Sequence, residues 1–481
     1  MARTFKRPIP FTPLEDPTDV VWNQSAMNGY WRQTISPDGP KYIWTKRPGL
    51  TLVKDMSVSN IGYEPNIRIE GMFFWERQNK VVVAGSGRVR WLDKSYTPQG
   101  SWTAGYPPVL KTGYKPYFAD ILGTDLYISG GGKIGKYDND DFNLYPLTDA
   151  QAPTSVNSIA TLDQYLIALR NDSERFDWAD TGTPTVWSGE YSSAVSCPDY
   201  AKVILSSNNY LHVLGAQTYE PWYNSGSTFL LNKSGVIGSG IGAKDTAILI
   251  DGDIYYLDNT RRFSKIKGFQ KTVLSNSALT SYIQSFSSVQ RAWGMYLPID
   301  GKNLYVVTFP DDEKTIVYDL DLNQFYNWSH YDDGEHKAWR AQCAVDAYGW
   351  GKVLIGDSKN CKVYELGGET DNGDSIVTTI RTQQVDHGDP TVNKVSSKIT
   401  AVFERSGTNA TPKEVILRWR DNGKTTWSKE RNLKCESHGS THYIASETML
   451  GSYHTRSWEL SMPDDSVSSL VSLTEEFSFG R

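Results

Sequence analysis

Two histidines and three carboxylates crowd into His330-Tyr331-Asp332-Asp333-Gly334-Glu335-His336. Imidazole and carboxylate are the donors a divalent metal takes. The two imidazoles stand six residues apart, which suits neither one face of a helix nor one face of a strand. The segment is read as a solvated loop between repeats. Asp138-Asn139-Asp140-Asp141-Phe142-Asn143 hints at a calcium loop. Such a loop needs oxygen ligands at alternate positions, then Gly and a bidentate Glu; Phe142 breaks the alternation and no Gly follows. Two glycine clusters suggest nucleotide phosphates. Gly130-Gly131-Gly132-Lys133 lacks both the first Gly of a phosphate loop and the Ser or Thr after Lys. Gly235-Val236-Ile237-Gly238-Ser239-Gly240-Ile241-Gly242 has no α/β unit around it. Both are read as strand-end loops. No catalytic residue, cofactor-binding residue or metal ligand is assigned, and no cofactor is expected.

The elements that would carry any such residues repeat. Apolar runs begin near Val81, Leu126, Tyr165, Leu211, Ala247, Leu304 and Val353. A polar or glycine turn follows each, then a second run, several of which end in Leu-Asp or Tyr-Asp. Ala247-Ile248-Leu249-Ile250, Asp251-Gly252-Asp253, Ile254-Tyr255-Tyr256-Leu257-Asp258 is the clearest copy. Paired strands recurring about every 40–50 residues are the signature of a β-propeller. The fold class is therefore all-β, a six- or seven-bladed β-propeller with a C-terminal β-sandwich. Aromatic content of 12% and 40 Gly agree with many strands and turns. One short helix is expected within Thr280–Val289, with Tyr282, Ile283 and Phe286 on one side.

Three segments are expected. Residues 1–65 read as an irregular proline-rich N-terminal arm, broken at Pro8, Pro10, Pro13, Pro17, Pro37, Pro40, Pro48 and Pro65. Residues 66–370 hold the propeller. Gly373 and its acidic neighbours mark a linker, and residues 371–481 form the β-sandwich, with longer strands such as Val415–Trp419. Asn422-Gly423 marks a hairpin, because both residues accept the positive φ that a type I′ turn needs.

The formal net charge is −6 over 481 residues, with no basic stripe. That argues against a protein that reads DNA by gripping its phosphates, but not against a pore through which DNA slides. Cys197, Cys343, Cys361 and Cys435 have no metal-type spacing. No secretory signal and no membrane span are read, so assembly in a cytoplasm is expected.

Arg420-Asp421-Asn422-Gly423-Lys424-Thr425-Thr426-Trp427 resembles the Asp-box hairpin of sialidases and other propellers, one residue out of register. With 16 Trp in the chain, this supports an alternative reading as a glycan-binding or sialidase-like carbohydrate-active propeller. A wider set of segments points elsewhere: Thr45-Lys46-Arg47-Pro48-Gly49-Leu50, Ser86-Gly87-Arg88-Val89, Gln217-Thr218-Tyr219-Glu220-Pro221-Trp222, Val317-Tyr318-Asp319 with Asn327-Trp328, Leu354-Ile355-Gly356-Asp357, and Leu417-Arg418-Trp419-Arg420 with Trp427-Ser428. Taken in order, they resemble the tail-hub or nozzle proteins of short-tailed bacteriophages, the packaged-DNA stabilisation family. The resemblance implies a non-enzymatic virion protein of the tail, in a homohexameric ring below the portal and adaptor. Such a ring extends the DNA channel and retains packaged DNA. Its implied partners are the portal/adaptor ring, a tail fibre or tailspike, a channel plug or needle, and passing double-stranded DNA, with no sequence-specific binding and no membrane insertion.

Overall fold

The computed structural model describes residues 4–9, 26–36, 39–56, 68–85, 88–99, 109–121, 125–138, 144–196, 199–226, 228–332, 334–405, 415–439, 441–463 and 467–480. The chain divides into two units. One comprises Leu52–Glu313 with Arg340–Leu366, the other Met1–Thr51 with Lys314–Trp339 and Gly367–Arg481.

The first unit is the propeller, and it has seven blades. Their innermost strands are Gly71–Trp75, Tyr117–Ile121, Val156–Leu162, Ala201–Ser207, Ile248–Ile250, Trp293–Ile299 and Ala341–Ala347. Each contacts the next, and the seventh contacts the first, so the ring is closed. Blades one to five are four-stranded antiparallel sheets. The seventh takes its fourth strand, Leu50–Asp55, from far upstream, beside Lys362–Leu366.

Burial on both faces explains the unbroken apolar runs. In Lys80–Gly85, Val81 and Val83 pack with Leu354, Val363 and Trp350 of the seventh blade. Val82 and Ala84 point the other way, toward Leu126 and Ile128 of the second. Ile167 and Leu169 likewise face the fourth blade, while Leu166 and Ala168 face the second. Successive strand residues alternate sides, so a strand between two neighbours needs apolar residues at every position.

The terminal aspartates of these runs fold the turns. Asp93 Oδ1 accepts from the Ser95 and Thr97 amides at 2.9 Å each. Asp258 Oδ1 accepts from the Thr260 and Arg262 amides at 2.8 and 2.9 Å, and Asp357 Oδ1 from the Lys359 amide at 2.7 Å. These are Asx-type turns, in which the side chain replaces a backbone acceptor. The helix is Ser277–Gln284, starting and ending earlier than its periodicity suggests. Asn276 fixes its start by accepting from the Leu279 amide at 2.8 Å, and Leu279 and Ile283 are its buried residues.

The second unit is the β-sandwich. One sheet runs Gly29–Ser36, Gly39–Lys46, Val467–Phe479, Lys394–Arg405, His442–Tyr453, Arg431–His438, with Thr4–Pro8 also on Val467–Phe479. The other runs Gln324–Asp332, Ala26–Met27, Thr378–Arg381, Arg456–Met462, Val415–Asp421. Arg431–His438 belongs to both: Leu433 pairs with Val415, and Lys434 with Ser446. A strand that changes sheets makes such a corner. Three segments thus lie in what reads from sequence as an irregular arm: Thr4–Pro8, the hairpin Gly29–Lys46, and Leu50–Asp55. Pro10, Pro13, Pro17, Pro37 and Pro65 lie outside the described residues.

Candidate functional site

The inner strands of six of the seven blades, all but the third, line a cavity of about 890 Å³. Its lining residues all belong to the propeller. Two short segments from non-adjacent blades meet at its wall. Tyr114-Lys115 leads into the second blade, and Lys244-Asp245 begins the turn Lys244–Thr246 before the fifth. Lys115 Nζ donates to the Asp245 carbonyl at 3.2 Å. Lys244 Nζ lies 4.7 Å from the Tyr114 ring centre and donates to Asn157 Oδ1 at 2.8 Å. Asn157 in turn donates to the Lys202 carbonyl at 2.6 Å, so blades two, three, four and five are tied together. Burial, with the Asp245 carboxylate nearby, holds the Tyr117 hydroxyl well above its ordinary pKa.

The charges around the cavity are unevenly matched. Arg68 Nε lies 3.4 Å from Glu70 Oε1, which also accepts from the Gly113 amide at 2.6 Å. Arg291 is 3.2 Å from Asp311. Neither Lys115 nor Lys244 has a carboxylate oxygen within ion-pair distance among the described residues. Burial lowers the Lys115 ammonium from its ordinary value, and the nearby Lys244 adds to the effect while Asp245 opposes it. Two buried acceptors, Asp245 Oδ1 and Gln342 Oε1, have no hydrogen-bond partner among the described residues. Phe73 and Phe118 stack on the wall at 5.4 Å and 12°. Burial pushes the Cys343 thiol up to about 12, so it stays protonated and unreactive.

Sequence reasoning missed this site because its residues come from inner strands and the turns before them, more than 100 positions apart. The segments it singled out lie elsewhere. His330–His336 is a paired hairpin rather than a solvated loop: Ser329 faces Ala338 and Tyr331 faces His336. His330 is buried, with Nδ1 3.6 Å from Asp371 Oδ2. His336 Nδ1 is 2.8 Å from Ser329 Oγ, and burial lowers its pKa. Asp333 and residues 139–143 of the calcium-like segment lie outside the described residues. Among the described residues no three His, Cys, Asp or Glu side chains come together as metal ligands. Gly131, with φ +79°, sits where an added Cβ would fall 2.6 Å from the Tyr114 ring; the glycine cluster lets the backbone pass the cavity wall.

Arginines do converge in the sandwich, on the protein's own groups. The guanidiniums of Arg381, Arg418 and Arg420 lie 5.2, 5.4 and 5.2 Å from the Trp427 ring. Arg381 and Arg418 both bind the buried Glu459 carboxylate. The Asp-box-like hairpin turns at Asn422 and Gly423, both at positive φ, and its Asp421 holds Arg456 at 2.6 Å. The grip on a carboxylate that a sialidase would use on its substrate is here occupied by Glu459 and capped by Trp427.

Residues 122–371, just over half the chain, match the family model described as bacteriophage P22 Gp10, beta-propeller. No curated protein sequence matches the chain. Among solved structures, the extracellular domain of BT4673 from B. thetaiotaomicron matches at 11% identity with a TM-score of 0.44, covering 73% of this chain and 43% of that one. The N-terminal domain of Nup159 matches at 9% identity with a TM-score of 0.40, covering 71% and 98%. The chain thus spans less than half the length of the first of these structures.

Proposed function

The chain belongs to the bacteriophage P22 Gp10 β-propeller family, and from that premise we propose that it is the tail-nozzle ring of a short-tailed bacteriophage. Membership makes it a phage structural protein and a component of the virion. The finer reading is a homohexamer below the portal and adaptor. It extends the DNA channel, retains the packaged genome, and docks tail fibres or spikes and a channel plug or needle. The observation that carries this reading is the family match, which runs through blades two to seven.

The axial cavity limits how such a protein could conduct DNA. At about 890 Å³, bordered by Phe73 and Tyr117 and with the Lys115–Asp245 contact at its wall, it cannot admit a duplex whose major groove alone is about 12 Å wide. The channel would therefore be enclosed by several copies, joined through heterologous contacts that close into a ring. A net charge of −6 per copy suits a wall past which a polyanion slides without counterion-driven capture.

The test is deletion of the gene from its phage genome, with electron microscopy of the particles. DNA-leaking or empty heads whose portals lack the distal tail are expected. Complete, DNA-filled particles that only bind host glycans poorly would refute the nozzle reading and favour a sugar-directed propeller.

A further inference from the structure

Two surfaces of the chain carry opposite charge, and each has an aromatic ring within it. The first is the outer edge of the third blade, where Tyr191–Ser193 has a strand neighbour on one side only. Such an edge is a template for another chain unless something covers it. Tyr191 and Val195 are 53% and 70% exposed, and the Arg175 guanidinium lies 3.7 Å from the Tyr191 ring centre. The Glu174 carbonyl accepts from the Ala194 amide at 2.9 Å, which brings Glu174 beside Val195, and the exposed Glu190 precedes Tyr191. Residues 163–200 hold seven carboxylates against two basic side chains, Arg170 and Arg175. Both of these arginines bind the buried Asp177.

The second surface lies on the sandwich unit, on Val415–Asp421 and the loop that leads from it to Arg431–His438. Residues 415–434 hold six Lys or Arg against two carboxylates, on a chain whose net charge is −6. Three guanidiniums lie within 5.4 Å of the half-buried Trp427 ring, and the exposed Lys424 and Lys429 flank it in sequence. Among the described residues, Glu174, Glu190, Lys424 and Lys429 have no oppositely charged side chain within ion-pair distance. Setting either surface against its own copy would bring like charges together, which disfavours an isologous dimer. Setting one against the other pairs the charges and generates a heterologous, head-to-tail contact. Aromatic and arginine side chains are also the types enriched where proteins meet. We propose that the acidic outer edge of the third blade in one copy docks on the basic Trp427 surface of the next, with Glu174 and Glu190 meeting Lys424 and Lys429, and Tyr191 and Val195 covering Trp427. The proposal rests on the ring reading in taking a second copy as the partner, and it names the surfaces that join the copies.

Sedimentation velocity of the full-length protein at tens of micromolar, with two charge-reversed variants, tests it. The wild type self-associates at 50 mM salt and dissociates at 500 mM, because exposed charge pairs are screened. Glu174→Lys with Glu190→Lys makes both surfaces basic, and Lys424→Glu with Lys429→Glu makes both acidic. Each variant alone self-associates at least about tenfold more weakly. Mixed in equal amounts they associate again, because every contact then joins opposite charges. Tyr191→Ser weakens association at both salt concentrations. Thermal unfolding confirms that each variant is folded; should either charge reversal fail to fold, Tyr191→Ser and the salt dependence carry the test. Wild-type association in the folded variants, or a mixture that stays monomeric, overturns the proposal while leaving a ring joined through other surfaces. A wild type that is monomeric at 50 mM salt also overturns it, and tailless particles from phage carrying Glu174→Lys with Glu190→Lys would then assign the blade edge to a different protein. Failure of the nozzle reading shows separately, as complete DNA-filled particles when the gene is deleted.

Discussion

Replacing Asp371 with Asn unbalances a buried ion pair in the sandwich unit. Arg47 and Asp371 expose 1% and 6% of their side chains. Arg47 Nη1 donates to Asp371 Oδ1 at 2.9 Å and Nη2 to Oδ2 at 2.5 Å. The remaining guanidinium bonds go to the Pro48 and Ser329 carbonyls and to Asn28 Oδ1, at 3.1, 3.0 and 3.3 Å, and the group lies 5.4 Å from the Trp339 ring centre. Burial alone would raise the Asp371 carboxyl, but the charge and hydrogen bonds of Arg47, with a smaller part from His330, bring it down to about 2. Asp371→Asn keeps the shape and removes the charge, leaving a buried guanidinium uncompensated. The expected loss is about 3–5 kcal/mol. Arg47→Met with Asp371→Leu removes both charges and recovers most of it, because a buried pair roughly breaks even against apolar residues of similar volume. The acid limb follows from the same pair. A carboxyl depressed from 3.8 to about 2 contributes about 2–3 kcal/mol that is fully present above about pH 5 and lost as pH falls toward 2; Asp371→Asn abolishes that segment of the pH profile. Hydrogen exchange in increasing urea, followed on peptides spanning residues 26–51 and 327–339, reads the effect locally. A loss below about 1 kcal/mol in Asp371→Asn, or a double variant no more stable than the single one, would refute the reasoning.

Two further outcomes are expected. Burial lowers His212 to about 4, and its neutral ring bonds the Tyr219 hydroxyl at 2.7 Å and Ser207 Oγ at 3.0 Å. Stability is complete above the unfolded value of about 6.5 and falls by about 2 kcal/mol by pH 5, as the unfolded chain takes up the proton; urea midpoints at pH 7 and pH 5 converge in His212→Gln. Removing residues 2–65 deletes Leu50–Asp55, the fourth strand of the seventh blade, and limited proteolysis is expected to open the propeller. Removing residues 2–48 spares that strand and leaves the propeller resistant.

The repeating blades were legible because each second strand is buried on both faces. That turns Val81–Ala84, Leu166–Leu169 and Leu304–Val307 into continuous apolar runs, and all seven starts seen in the sequence correspond to blades. The Leu-Asp and Tyr-Asp endings were legible for a second reason, since Asp93, Asp258 and Asp319 close turns with their own side chains. The fourth strands, such as Pro98–Gln99 and Leu144–Pro146, are short edges with one neighbour and carry no such pattern. Long-range pairing was the least legible. Gly39–Lys46 joins the sheet through Trp44 opposite Leu470, and nothing near residue 44 announces a partner more than 400 positions away. Arg47-Pro48-Gly49-Leu50 shows how a short segment can be recognisable without its cause being visible. Arg47 is there for Asp371, and Gly49 because an added Cβ would fall 2.1 Å from the Thr370 carbonyl oxygen.

The axial cavity separates two questions that the word channel joins. In a propeller nozzle the DNA path could run through the blades or between copies of the chain. The tie from Lys115 to Asp245 and the aromatic wall argue for the second. Phage carrying Lys115→Met should then assemble DNA-filled particles with normal genome retention, because a cavity lysine away from the DNA path has no part in holding DNA. Complete tails on the variant particles show that the variant folds, so a general defect in folding cannot mimic DNA leakage. If Lys115→Met particles assemble complete tails yet leak DNA, the genome contacts the interior of the propeller, and the inference of a path enclosed between copies fails.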